Sequence, residues 1–84
     1  MLGVKKVELV DGYTVSIEFN DGQNGKINFK NELEKDHRAI IQELLDLEIF
    51  KTVKIEYDTL SWDNGVDFAP EYLYEQMVIQ KNVA

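Results

Sequence analysis

Asp58, Asp63, Asp67 and Glu71 lie within one short stretch of the chain, and several converging carboxylates are what a divalent cation such as Ca²⁺ or Mg²⁺ requires. Asp63, Asp67 and Glu71 are the set on which a small metal-dependent enzyme or metal-binding domain would rest. The spacing departs from an EF-hand, whose loop needs oxygen ligands at its first, third and fifth positions, glycine at the sixth and glutamate at the twelfth. Counted from Asp58, Asp63 falls on the glycine position; counted from Asp63, Gly65 falls on a ligand position. Folding offers a plainer account, in which Asp63 and Asn64 serve a turn while Asp67 and Glu71 complement the start of a helix.

Other catalytic chemistries find less support. Two carboxylates working as acid and base on a glycoside need a cleft between them, and a domain of this size has little depth for one. His37 is the only histidine, and a nucleophilic triad would need it beside Ser16 or Ser61 with an orienting acid. As a first-turn residue on an apolar stripe it is expected to be partly covered and structural. Gly22 and Gly25 match no phosphate-binding loop and are expected to be turn glycines with positive φ. The aromatic residues Trp62, Phe68, Tyr72 and Tyr74 invite a different reading. Exposed, they form a patch rimmed by acids that suits a basic protein partner; buried, they close one end of the core.

These residues must be positioned by a small number of elements. Val4 to Val10 and Tyr13 to Phe19 flank Asp11-Gly12, a dipeptide typical of a two-residue hairpin whose central residues take positive φ. In the second segment Tyr13, Val15, Ile17 and Phe19 alternate with polar residues, as in an antiparallel sheet with one covered face. After Asp21 to Gly25, Ile27 and Phe29 continue the alternation in a third strand. Ile40, Ile41, Leu44 and Leu45 then recur at helical spacing, extended backward by Leu33 and His37, with an Asn31/Glu34 pair or Asp36 as the cap. Val53, Ile55 and Tyr57 predict a fourth strand beginning near Phe50, and Asp58-Thr59 a turn. Leu60 and Trp62 start a fifth strand that ends at Asp63-Asn64-Gly65. Pro70 fits the first position of a helix running to about Gln80, with Leu73 and Met77 inward. The expectation is a single α+β domain over residues 1–84: an antiparallel sheet of about five strands with two helices, in the order β-β-β-α-β-β-α.

Eighty-four residues support one core. The absence of cysteine excludes a disulfide framework, a thiolate metal site and a cysteine nucleophile. No apolar run approaches the length of a membrane span and the N-terminus lacks a signal-peptide pattern, so the expected compartment is the cytoplasm, with no membrane contact. The net charge of -7 argues against direct nucleic-acid binding. Acids and bases cancel up to Asn31, so the whole net charge falls after it, and between Ile55 and Gln80 there are six acids and no lysine or arginine.

The chain also resembles a known family, the domain-of-unknown-function family 2442. The resemblance rests on Phe19-Asn-Asp-Gly22, Gly25-Lys-Ile-Asn-Phe29, Val53-Lys-Ile55 and above all Leu60-Ser-Trp62, Asn64-Gly65, Asp67, Pro70-Glu71 and Leu73-Tyr74. It implies a small α+β fold and no established activity. Some similar proteins continue into a helix-turn-helix region, and others are encoded beside a small partner, which implies pairing of the toxin-antitoxin kind. This sequence ends at Ala84, so the expectation is a domain without the DNA-binding extension. The functional expectation is a non-catalytic interaction module, antitoxin-like or otherwise the partner in a two-gene pair. No cofactor is expected, and the binding face would be formed by Trp62, Asp63, Asn64, Asp67, Glu71 and Tyr74. A sheet edge left exposed would also suit a homodimer.

Overall fold

The computed structural model describes residues 1–82. Strands β1 (Val4–Asp11), β2 (Thr14–Phe19) and β3 (Asn24–Asn28) form an antiparallel meander in the order β1-β2-β3. Alternation along β2 buries Val15, Ile17 and Phe19, and the same face continues into Ile27 and Phe29. The first hairpin differs in detail from expectation. Asp11 belongs to β1 and pairs with Thr14, and of the Asp11-Gly12 pair only Gly12 takes a positive φ, 51°.

Strands β4 (Lys54–Glu56), β5 (Thr59–Ser61) and β6 (Asp67–Phe68) make a second antiparallel sheet, in the order β4-β5-β6. The single five-stranded sheet is therefore corrected to two three-stranded sheets. One backbone hydrogen bond, from Val4 N–H to the Asp58 carbonyl at 2.8 Å, joins the first strand to the β4–β5 turn, too little to make a continuous ladder. The unforeseen sixth strand follows the Asp63-Asn64-Gly65 turn, where Trp62 N–H bonds to Val66 O and the chain folds back on β5.

The single central helix is likewise corrected. The described residues hold four helices, α1 (Lys30–Lys35), α2 (Ala39–Gln42), α3 (Leu47–Phe50) and α4 (Pro70–Lys81), with a 3₁₀ turn at Glu43–Leu45 between α2 and α3. The helical spacing of the apolar residues was real, but two aspartates interrupt it. Asp36 leaves α1 with extended backbone, and its Oδ1 accepts from Arg38 N–H. Asp46 repeats the device, accepting from Glu48 N–H to cap α3. Neither Asn31 nor Asp36 is an N-cap: α1 begins after Phe29 with no side-chain cap, and α2 after Arg38. Phe50 thus ends a helix instead of beginning a strand. His37 lies in the break between α1 and α2 and is exposed, not covered.

Pro70 occupies the first turn of α4, and Leu73 and Met77 face inward as their spacing predicts. Met77 packs over β3, where a Cβ placed on Gly25 would come within 2.8 Å of its Cγ. Gly25 is therefore a strand residue that admits a helix, whereas Gly22, at φ 90°, is a true turn glycine. Phe19, Phe29, Leu33, Leu44, Phe50, Leu60, Trp62 and Leu73 fill the space enclosed by the two sheets and the helices.

Candidate functional site

Trp62 is the centre of the core and not part of the surface. It is 1% exposed, its indole N–H donates to Phe50 O at 2.9 Å, and the rings of Phe29, Phe50 and Phe68 surround it at 5.5 to 5.8 Å. A buried indole with its one donor satisfied has nothing left to offer a ligand. Two residues on, Asn64 is a structural bridge. Its Nδ2 donates to Ile40 O and to Glu43 Oε1, both at 3.1 Å, while its Oδ1 accepts from Val66 N–H. This side chain ties the β5–β6 turn to the helical segment, and Gly65 beside it, at φ 94°, closes the turn.

The acids of this region are exposed but dispersed. Asp63 accepts from Lys54 Nζ at 3.0 Å, and that bond raises the pKa of the lysine. Asp67 lies in β6 opposite Ser61, and Glu71 in the first turn of α4. Among the described residues no three His, Asp or Glu side chains come together as a metal ion would require. Tyr74 packs its ring on Phe19 at 5.0 Å, and burial, followed by the nearby Asp21 carboxylate, raises its pKa. The tyrosine thus belongs with the β2–β3 turn, away from Asp63 and its lysine.

Sequence reasoning missed a residue that the structure makes conspicuous. Tyr57, expected within the fourth strand, is 91% exposed at the tip of the β4–β5 hairpin. The two-residue loop falls on Tyr57 and Asp58, which take φ 53° and 64°, the left-handed pair of a type I′ turn that ordinarily selects Asn-Gly. A tyrosine there costs on the order of 1 kcal/mol in backbone strain, and its ring recovers little of that by packing. The turn is held instead by Val4 N–H on Asp58 O and by Thr59 Oγ1 on Glu56 O at 2.7 Å. Gly3 permits the close approach, since a Cβ there would lie 3.0 Å from Asp58 Cβ. A groove of about 350 Å³ opens beside this turn, lined by Leu2, Tyr57, Asp58, Thr59, Pro70 and Glu71. Its lining is mainly apolar and includes two acidic residues, Asp58 and Glu71. Only the alternative reading of the Val53 to Thr59 stretch as a hairpin with Tyr57 in the loop would have found it.

The fold and its surface define a small α+β domain whose most exposed aromatic side chain lines a mainly apolar groove. The chain belongs to the family described as protein of unknown function (DUF2442), whose model matches residues 4–78. No curated protein and no solved structure matches it.

Proposed function

We propose that this domain is a non-catalytic interaction module, and that its binding face is the groove between the β4–β5 turn and the start of α4. The observation that carries this reading is Tyr57, held exposed in a strained conformation beside a mainly apolar groove. Strain that packing does not relieve is a signature of positions kept for binding. The occupant is a segment of a protein partner that presents arginine or lysine beside an apolar side chain. Asp58 and Glu71 would meet the cation, the Tyr57 ring would stack on it, and Leu2 and Pro70 would take the apolar group. Of the residues singled out from sequence, Glu71 lines this face directly, and Trp62, Asp63, Asn64, Asp67 and Tyr74 lie outside the groove lining. A partner encoded beside this chain would need to be basic, which the acidic half from Glu32 onward favours through faster encounter.

A synthetic peptide alternating arginine and leucine, titrated into labelled protein and followed by amide chemical shifts, tests this. The expected result is saturable shifts at Leu2, Tyr57, Asp58 and Glu71. Tyr57→Ala and Glu71→Gln should each weaken binding about tenfold, while Glu48→Gln, at an exposed acid elsewhere, should leave it unchanged. Shifts spread evenly over all exposed acids, or equal binding of a glutamate-leucine peptide, would overturn it.

A further inference from the structure

The sheet edges of this domain are treated unequally. The outer edge of β3 is closed by α4: the Gln80 side-chain amide accepts from Asn28 N–H at 2.8 Å and donates to Asn28 O at 3.1 Å, and Lys81 Nζ reaches Asn24 O. The edges of β4 and β6 are three and two residues long. The remaining edge, β1, runs for eight residues. After the Val4 bond to Asp58, no further backbone hydrogen bond among the described residues closes its outer side. Lys5, Lys6, Glu8, Leu9 and Val10 are exposed along it, Leu9 and Val10 to nearly half.

An open, partly apolar stretch of edge is a template for another strand. We propose that it pairs antiparallel with β1 of a second copy of this chain, with Val7 on the two-fold axis. The register follows from faces and charges. Val7 and Leu9 lie opposite Ile17 and Val15 on the covered side of the sheet, whereas Lys6 and Glu8 lie opposite Glu18 and Ser16 on its open side. An antiparallel partner must match like face to like face, which leaves registers centred on Lys6, Val7 or Glu8. Centring on Lys6 sets that lysine against itself, and centring on Glu8 sets two carboxylates together. Centring on Val7 places Lys6 of each copy opposite Glu8 of the other, giving two opposite-charge pairs and one valine pair. The irregularities near Lys5 and Val10, and the Val4 bond to Asp58, confine the ladder to about Lys6–Glu8. Association is therefore reversible and weak.

Sedimentation equilibrium from micromolar to millimolar protein at low salt tests the pairing. The wild-type chain should rise from 9.8 kDa toward twice that mass. Lys6→Glu alone and Glu8→Lys alone set like charges opposite each other in this register, and each should weaken self-association about tenfold or more. An equimolar mixture of the two variants restores opposite charges at both positions and should associate at least as well as wild type. Both positions are exposed, so circular dichroism should show each variant folded. A monomer at millimolar concentration, self-association indifferent to either substitution, or a mixture that fails to recover would each overturn the proposal.

Discussion

Asn64 is the clearest case of a residue whose position in a recognisable sequence pattern reflects folding. Three hydrogen bonds leave its side chain, two toward the α2 and 3₁₀ region and one to its own turn. Asn64→Ala should destabilise the domain by about 1–3 kcal/mol in urea unfolding, because Val66 N–H loses an acceptor in a partly buried site. Trp62→Phe should likewise cost roughly 1–3 kcal/mol, leaving a void where the indole sat and taking one of two donors from Phe50 O, which keeps Val53 N–H. Tyr57 behaves in the opposite sense. Tyr57→Asn relieves a left-handed backbone without removing core packing, and should raise stability by about 0.5–1 kcal/mol in the same assay. It should at the same time weaken peptide binding at the groove about tenfold, as Tyr57→Ala does, the opposition of stability and binding that marks a residue retained for recognition.

At the scale of elements, α4 packs over β3. It needs Gly25 on β3, and Gly25→Val should destabilise by about 1–3 kcal/mol by forcing Met77 and the helix outward, measured as a lower urea midpoint. The break between α1 and α2 depends on Asp36 and Arg38. Hydrogen bonds from the Arg38 side chain and then its backbone hold the Asp36 carboxyl down at about 2, against an ordinary value of 3.8. A depressed pKa contributes stability that is full above the unfolded value and is lost as pH falls through the folded one. The contribution from Asp36 should therefore disappear between roughly pH 4 and pH 2. Arg38→Gln should return the Asp36 titration, followed by NMR of its carboxyl carbon, toward 3.8. The helical spacing of Leu33, Ile40, Ile41, Leu44 and Leu45 announced helix without announcing these interruptions. Local side-chain bonds from Asp36 and Asp46 compete with the helix and win at those two positions.

For the whole molecule, charge and shape act together. The described chain is flattened, 32 by 32 by 21 Å, and carries a net charge of -7. Encounter with a basic partner should slow as salt rises, and the association rate of the arginine-leucine peptide in stopped flow should fall markedly between low and physiological ionic strength. Among the described residues no helix is long and apolar enough to cross a membrane. The sequence by itself determined the first meander, the inward face of β2, the terminal helix from Pro70 and the family, because each rests on local periodicity, turn chemistry or a run of matching residues. Tertiary structure alone decided that the strands divide into two sheets, that Trp62 faces inward, that Asn64 bridges to the helical segment, and that Tyr57 faces out. Those outcomes depend on which surfaces meet across the fold: a register that places Tyr57-Asp58 in a two-residue loop, and a carbonyl of Phe50 waiting for the indole of a residue twelve positions away. No periodicity within either segment encodes the other's position.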